Sequence, residues 1–137
     1  MPRLVAIDYG AKRTGIAVTD PLQIIASALD TVPSFQVIPF LKKYTQTEPV
    51  EAFVVGWPTR LDGTDTDNTP RVQAFINKLA TAFPDVPIHR HDERFTSAMA
   101  LQAMIAAGST KKDRREKGNI DKVSAAIILQ SFMESKT

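Results

Sequence analysis

The connections between strand-like runs of apolar residues lengthen along this chain, and that change constrains the fold. Early in the chain, short turns separate three runs rich in β-branched residues, LVAIDY, TGIAVTD and QIIASALDTV. Farther on, amphipathic segments of helical length separate the runs EAFVVGW and DVPIHRHDE. Short turns join antiparallel strands, whereas right-handed helical crossovers join parallel ones. The sequence therefore predicts an α/β protein with a five-stranded mixed sheet and helices packed on it.

The spacing of apolar side chains predicts four helices. The first covers residues 34–47 and contains Pro39, which indicates a late start or a kink. A second helix is expected to be capped by Thr69, and two more are predicted over residues 96–108 and 120–134. The apolar face of the first helix consists of residues at helical spacing, namely Phe35, Ile38, Leu41 and Tyr44.

Composition limits the chemistry that the chain can perform. With 137 residues, of which 43% are hydrophobic, residues 1–137 are expected to form a single domain. The absence of cysteine excludes disulfides and thiolate zinc sites, so we expect oxygen atoms to hold any metal. No apolar run approaches the roughly 20 residues of a membrane span, and a cytoplasmic protein without a membrane partner is expected.

Basic residues are concentrated in two places, although the formal net charge is only +2. Lys12 and Arg13 lie in the turn between the first two strands. A second basic segment, residues 111–117, contains Lys111, Lys112, Arg114, Arg115 and Lys117. Both places are candidates for contacts with nucleic-acid phosphates, and a solvated charged loop is the structural alternative.

Three carboxylates lie where the predicted elements could bring them together. Asp8 shares a strand face with Leu4 and Ala6. Glu93 lies near the end of another strand, and Asp121 is predicted in the first turn of the last helix. Because a carboxylate in a buried strand is costly unless it is paired or bound to metal, Asp8 requires a partner. Hard divalent cations, Mg²⁺ by default, offset repulsion among such acids and support phosphodiester hydrolysis.

Two of these acids also have structural interpretations. Asp121 would stabilise the helix dipole wherever it lay in the first turn. Glu93 could pair with Arg90 or Arg94 at a strand edge. Each acid alone is therefore a weaker indication of a metal site than the three together.

Two histidines and two glycines accompany the acids. His89 and His91 alternate with Glu93 along one strand, where His91 could assist proton transfer, although solvent-facing or hydrogen-bonded strand histidines are the favoured interpretation. Gly10 and Gly15 are expected to form a tight turn. Gly15 would also leave room for a substrate backbone near the first acid.

Four segments are similar, in order and spacing, to the signature blocks of the YqgF family, also called the RuvX or Holliday junction resolvase-like family. The segments are IDYGAKRTGIAVTD, FVVGWPTRLDG, HDERFTSAMA and IDKVSAAIILQSFM, and they span almost the whole chain. The resemblance implies a ribonuclease H-like fold and a divalent-metal nuclease of the bacterial cytoplasm. In this interpretation Asp8, Glu93 and Asp121 are both the catalytic residues and the ligands of Mg²⁺ or Mn²⁺.

The resemblance also bears on substrate and on neighbouring residues. It implies maturation of the 5′ end of 16S rRNA from its precursor, in a ribosomal particle or free, while the resolvase name points to four-way DNA junctions. Arg94 is expected to contact nucleic acid, and Gly56 is expected to shape the turn of the second block. Trp57 is bulkier than expected there and either stacks on a base or packs.

Three other functions are alternatives to RNA cleavage. Related sugar and acetate kinases need two such domains and a nucleotide site, yet the chain has no Walker motif and no G-x-G-x-x-G motif. A binding module that holds RNA without cutting it would not need the acids. Resolution of four-way DNA junctions usually requires a dimer, and the sequence leaves monomer and dimer open.

Overall fold

The computed structural model describes residues 2–58, 68–92 and 117–135. Its strands are β1 (Arg3–Tyr9), β2 (Arg13–Thr19), β3 (Ala26–Pro33), β4 (Val50–Trp57) and β5 (Ile88–Asp92). A 3₁₀ turn (Ser34–Gln36) leads into α1 (Val37–Thr45), and the other described helices are α2 (Thr69–Ala82) and α3 (Lys117–Ser135). Three strands in succession followed by alternating helices and strands is the predicted order.

The five strands form one mixed sheet in the order β3-β2-β1-β4-β5. β1 pairs with β2 and β2 with β3 in antiparallel orientation. β1 also pairs with β4, and β4 with β5, in parallel orientation. The short turns thus join antiparallel strands and the helical crossovers join parallel ones, as predicted, and β1 is the central strand.

Helices cover the two faces of the sheet differently. Alternate strand residues such as Ile7, Ile16 and Phe53 pack with side chains of α1 and α2. The opposite face, which packs with α3, is lined by small residues as well as larger ones: Leu4, Ala6, Ala17, Ala52 and Val54. Because alanine side chains are short, the backbone of α3 can approach this face closely. Asp8 lies on the same face as Leu4 and Ala6.

The first helix begins later than its apolar pattern predicted. Pro39 is the third residue of α1, in the turn whose N–H groups lack intrahelical partners, so it interrupts no helical hydrogen bond. Val37 and Leu41 are buried in the core. Phe35 lies in the 3₁₀ turn instead and is 81% exposed, so its assignment to the buried face was wrong. The tighter 3₁₀ winding moves Phe35 off that face.

The starts of α2 and α3 also differ from the predictions. Asn68 occupies the N-cap position of α2, and the Thr69 hydroxyl donates to the Pro58 carbonyl at 2.8 Å instead of capping. Helix α3 begins at Lys117, so Lys117 belongs to the helix rather than to a loop. Asp121 consequently lies in the second turn of α3, where the helix dipole offers less stabilisation than in the first.

Some predictions fall outside the described residues. These are the helix over residues 96–108 and the basic segment up to residue 116. Among the helices that the structure describes, none is long and apolar enough to cross a membrane.

Candidate functional site

Asp8 occupies the end of the central strand. It is the second-last residue of β1 and is partly buried on the face covered by α3. Its partner in the antiparallel ladder with β2 is Gly15. The next pair on the same face is Ala6 with Ala17, so the side chains beside Asp8 are small. Space above the strand therefore remains for another element.

The backbone of α3 fills that space. A Cβ atom at Gly15 would overlap the carbonyl oxygen of Asp121 and would lie 2.7 Å from the backbone nitrogen of Lys122. Only a residue without a side chain permits this approach. Gly15 therefore lies within β2 rather than in a turn, and the space attributed to a substrate backbone is occupied by α3. Asp8 and Asp121 border Gly15 from the neighbouring strand and from the helix.

Arg13 neutralises one of the two acids. Its Nε atom donates to Oδ2 of Asp121 at 3.1 Å, and the two side chains are 42% and 26% exposed. Arg13 shares the parity of Gly15 and Ala17 along β2, which directs it toward α3. An ion pair this accessible to water contributes little to stability. It does provide positive charge beside the Asp121 carboxylate.

The face of α3 beyond Asp121 lies against the sheet, as its small side chains predicted. Ser124, Ala125 and Ile128 are all buried. The Ser124 hydroxyl has no hydrogen-bond partner among the described residues. These residues follow Asp121 by three, four and seven positions, which is the spacing of one helix face. Burial of this face fixes the rotation of α3 and with it the direction of Asp121.

The β1–β2 turn directs its two basic residues, Lys12 and Arg13, to opposite faces of the sheet. The Ser34 hydroxyl donates to the Gly10 carbonyl at 2.6 Å and lies 2.9 Å from the Thr14 hydroxyl, which must then be the donor to Ser34. The Ser34 backbone N–H donates to the Lys12 carbonyl at 3.0 Å. Lys12 lines a cavity on the α1–α2 side of the sheet, whereas Arg13 pairs with Asp121 on the other side. Of these two basic residues, Arg13 is the one that lies on the same side of the sheet as the acids.

Gly56 and Trp57 belong to strand β4 and not to a turn. Gly56 pairs with His91 in the parallel ladder, so the turn predicted at Gly56 is wrong. Trp57 packs at the edge of the core on the α1–α2 side, and the Arg90 guanidinium lies 4.7 Å from its ring centroid. This contact agrees with the interpretation in which Trp57 packs and does not stack on a base.

Both histidines of β5 contact α3. The His91 Nε2 atom lies 2.8 Å from the Ser131 hydroxyl, and the His89 ring centroid is 5.2 Å from that of Phe132. These contacts agree with the interpretation of satisfied strand histidines. Since Ser131 follows Asp121 by ten residues, their backbones are about 15 Å apart along the helix axis. His91 thus contacts α3 well away from Asp121.

The remaining predicted site residues lie outside the described residues or have no described side chain. Glu93 and Arg94 come directly after β5, which ends at Asp92. Lys111, Lys112, Arg114 and Arg115 also lie outside the described residues, and Lys117 lies in α3 without a described side chain. Within the part of the chain that the structure describes, no group of three or more metal-ligating residues occurs. The structure therefore brings two of the three predicted acids to one site, and the third stays a prediction.

Two polar residues at this end of the sheet were missed by the sequence analysis. The Asn68 side-chain amide donates to the Tyr9 carbonyl at 3.0 Å, which ties the start of α2 to the residue after Asp8. Ser34 holds the β1–β2 turn through the contacts described above. The position of Asn68 before a Thr-Pro pair was the available signal, because such residues favour helix starts.

Sequence comparison with known proteins identifies one family and close relatives of the chain. Residues 2–135 match the family described as RuvX, Holliday junction resolvase. A protein of Phocaeicola vulgatus named "Putative pre-16S rRNA nuclease" is 51% identical over 136 residues, which cover 99% of this chain and 98% of that protein. A protein of Amoebophilus asiaticus with the same name is 52% identical over 135 residues, covering 98% and 96%.

Solved structures support the fold. T. thermophilus RuvC in complex with a Holliday junction substrate superimposes with a TM-score of 0.60 at 15% identity, covering 99% of this chain and 96% of that one. The fowlpox virus resolvase in complex with Holliday junction DNA gives 0.61 at 11% identity, covering 98% of both chains. The five-stranded mixed sheet is thus the ribonuclease H-like fold of RuvC-type resolvases.

Proposed function

Because the chain belongs to the RuvX Holliday junction resolvase family, and so to the nucleic-acid-cleaving hydrolases, we propose that it cuts precursor 16S rRNA to form the mature 5′ end. The names of relatives about half identical over nearly their whole length support this substrate. The observation that carries the proposal is the approach of Asp121 to Gly15, the strand partner of Asp8. A cytoplasmic location and action on a ribosomal particle are part of the same proposal.

Each residue has a defined part in the proposed reaction. Asp8 and Asp121 supply carboxylate oxygens at the carboxyl end of β1, and Glu93 is assigned as the third acid. Arg13 lies beside Asp121 and can turn to a substrate phosphate once that carboxylate has another cation to neutralise it. Arg94 and the second basic cluster are assigned to phosphates farther along the RNA.

The donor set fits a hard divalent cation. Oxygen ligands suit Mg²⁺ and Mn²⁺, and the ion pair with the Arg13 guanidinium shows that the Asp121 carboxylate favours a positive charge beside it. When bound, such a cation supplies a Lewis acid that activates water and stabilises charge on the leaving oxygen. The chain's own acids would hold and orient that cation, and the buried face of α3 keeps Asp121 in place.

A second candidate substrate is the four-way DNA junction. The description of the matching family names junction resolution, and this observation keeps the candidate. The solved resolvases are too distant in sequence to transfer their substrate to this chain. A dimer would favour the junction because its two cuts are related by two-fold symmetry.

Cleavage of a 5′-extended 16S precursor fragment, beside a four-way DNA junction, tests the proposal. We expect the wild-type protein to cut the RNA with Mg²⁺ or Mn²⁺ and Asp8→Asn to lose that activity by at least a hundredfold, because loss of one ligand charge weakens the metal site. Asp30→Asn, a change on the exposed face of edge strand β3, is the matched control and should cut normally.

Each of the other outcomes would overturn a different part of the proposal. Cutting of the junction alone would replace the RNA by DNA as the substrate. Equal RNA cutting by the wild-type and Asp8→Asn proteins would exclude Asp8 as a catalytic acid. RNA binding without any cutting would identify a binding module.

A further inference from the structure

A second feature of the β1–β2 end of the sheet lies on the face opposite the acids. It is a cavity of about 470 Å³, which we name the Phe35 cavity. Its lining includes Tyr9, Lys12, Ser34, Phe35, Phe75 and Lys78. Tyr9 and Phe75 stack with ring centroids 4.4 Å apart and form an aromatic wall. A volume of this size lies within the range of small-ligand sites.

The rim of the Phe35 cavity is held in place. Ser34 binds the Gly10 carbonyl and the Lys12 carbonyl, so the residue before Phe35 is attached to the β1–β2 turn. A Cβ at Gly10 would lie 2.5 Å from the Arg13 carbonyl oxygen, so this tight turn requires glycine. Lys12 and Phe35 are therefore presented by a fixed backbone and not by a loose loop.

The charge and chemistry of the lining select an anionic, planar ligand. Among the described residues that line the cavity there are two lysines and no carboxylate. Phe35, one of the lining residues, is 81% exposed, more than any other large apolar residue of the described chain. An exposed aromatic ring in the same cavity as cationic side chains is an arrangement that can hold a nucleotide, with its base on the ring and its phosphate at the cations.

The cavity and the acid site, which consists of Asp8 and Asp121, lie on opposite faces of the sheet at the same end of β1. Asp8 and Tyr9 are consecutive residues of that strand and point to opposite faces, and the strand rises only about 3.3 Å per residue. An RNA chain that passes over the β1–β2 turn can therefore reach both faces. A bound nucleotide in the cavity would lie within a short distance of a phosphodiester at Asp8.

We propose that the Phe35 cavity binds one unpaired nucleotide of the RNA substrate next to the cut phosphodiester. The base stacks on Phe35, and its phosphate lies between Lys12 and Lys78. This inference rests on the proposed function in one respect, that the ligand is RNA. It adds that the substrate must be single-stranded beside the cut, because a paired base cannot leave its helix to enter a cavity without loss of pairing.

Binding of a labelled RNA in the presence of EDTA tests the proposal without cleavage. Fluorescence anisotropy would measure the Kd of the full-length protein for a single-stranded RNA of 16S precursor sequence and for the same RNA in a duplex. We expect Phe35→Ala to weaken binding of the single strand about tenfold and Lys78→Gln to flatten its dependence on salt. Leu22→Ala, which removes another exposed apolar side chain, and Lys43→Gln are the controls and should leave both quantities unchanged.

A crosslink locates the nucleotide directly. RNA with 4-thiouridine beside the processing site should crosslink within the peptides that contain Phe35 or Lys78, and Phe35→Ala should lose that crosslink. Equal binding by Phe35→Ala and Leu22→Ala, or an equal loss with duplex RNA, would overturn the proposal. A wild-type protein that cuts no RNA yet shows the Phe35-dependent binding would refute the nuclease proposal and leave the cavity as a nucleotide site.

Discussion

Gly15 determines how close Asp121 comes to Asp8, since the backbone of α3 occupies the volume where a side chain would lie. The glycine stands inside a strand, where it lowers the intrinsic strand preference. The gain is the contact between the helix and the central strands at the acid site. A single residue without a side chain thus sets the distance between two predicted metal ligands.

Gly15→Ala is expected to reduce cleavage by about a hundredfold, because displacement of a ligand by about 1 Å disturbs catalytic geometry on that scale. It should also lower the free energy of unfolding by about 1–3 kcal/mol through overpacking. Cleavage rates and urea unfolding would measure both effects. Gly10→Ala, which strains the β1–β2 turn, is the comparison, and it should lower the free energy of unfolding without an equal loss of cleavage. Normal cleavage by Gly15→Ala would show that α3 can move without displacing Asp121.

Arg13→Gln is expected to tighten Mn²⁺ binding in the absence of nucleic acid, because the guanidinium no longer competes for the Asp121 carboxylate. The same variant should bind RNA more weakly through loss of a phosphate contact. Since the ion pair is partly exposed, the unfolding free energy should change by less than about 1 kcal/mol. Electron paramagnetic resonance of free Mn²⁺ measures the affinity. Lys12→Gln is the matched control for the Mn²⁺ affinity, and an equal change of that affinity in both variants would point to net charge alone.

At the scale of elements, the β2–β3 connection is organised by one carboxylate. The Asp20 side chain accepts hydrogen bonds from the backbone N–H groups of Ile24 and Ile25 at 2.8 and 2.7 Å. Gln23 within this connection has a φ angle of 57°, a left-handed conformation that costs free energy in a residue with a side chain. The contacts to Asp20 offset that strain and join the two strands of the hairpin.

The stability supplied by Asp20 should depend on pH. The backbone N–H of Ile25, followed by that of Ile24, lowers the pKa of Asp20 below its ordinary value of 3.8. A depressed pKa in the folded state stabilises the protein fully above pH 3.8, and this stabilisation is lost as the pH falls through the folded-state pKa. Asp20→Asn should therefore be less stable than wild type at pH 7, with a smaller difference near pH 2. Urea midpoints at both pH values measure it, and a constant difference would contradict the assignment.

At the scale of the whole molecule, positive charge is divided between the acid site, the opposite face and the second basic cluster. The formal net charge is only +2, so the position of the charges, and not their sum, would direct the proposed binding of RNA. The order of the strands places both Asp8 and the β1–β2 turn at the carboxyl end of the central strand. A single domain formed by residues 1–137 stays a prediction.

Replacement of Lys111, Lys112, Arg114 and Arg115 by glutamine should weaken RNA binding uniformly across sequences. Each lost contact with a single-stranded phosphate should reduce the slope of log affinity against log salt by about 0.7. Titrations between about 50 and 200 mM salt, where affinity depends strongly on salt, would measure the slope. Lys43→Gln is the single-charge control. If both the slope and the cleavage rate stayed at the wild-type values, this basic cluster would have no role in binding.

Much of the fold and part of the site could be predicted from local patterns. Turn lengths and apolar periodicity determined which strands are antiparallel and which are parallel. The side-chain parity of Asp8 with Leu4 and Ala6 predicted the face on which Asp8 lies, and the small residues after Asp121 predicted the face of α3 that is buried. These features depend on neighbours in sequence, because strand and helix periodicity fix which side chains share a face.

Only the tertiary structure determined what lies against that face. A glycine inside a strand looks the same in sequence whether a helix, a turn or a substrate approaches it, and the packing of α3 decides that at Gly15. The same holds for Phe35, whose apolar character predicted burial but whose 3₁₀ backbone leaves it exposed beside Lys12. Apolar periodicity records average burial along an element, whereas close approach between distant segments depends on atomic distances that no local pattern contains.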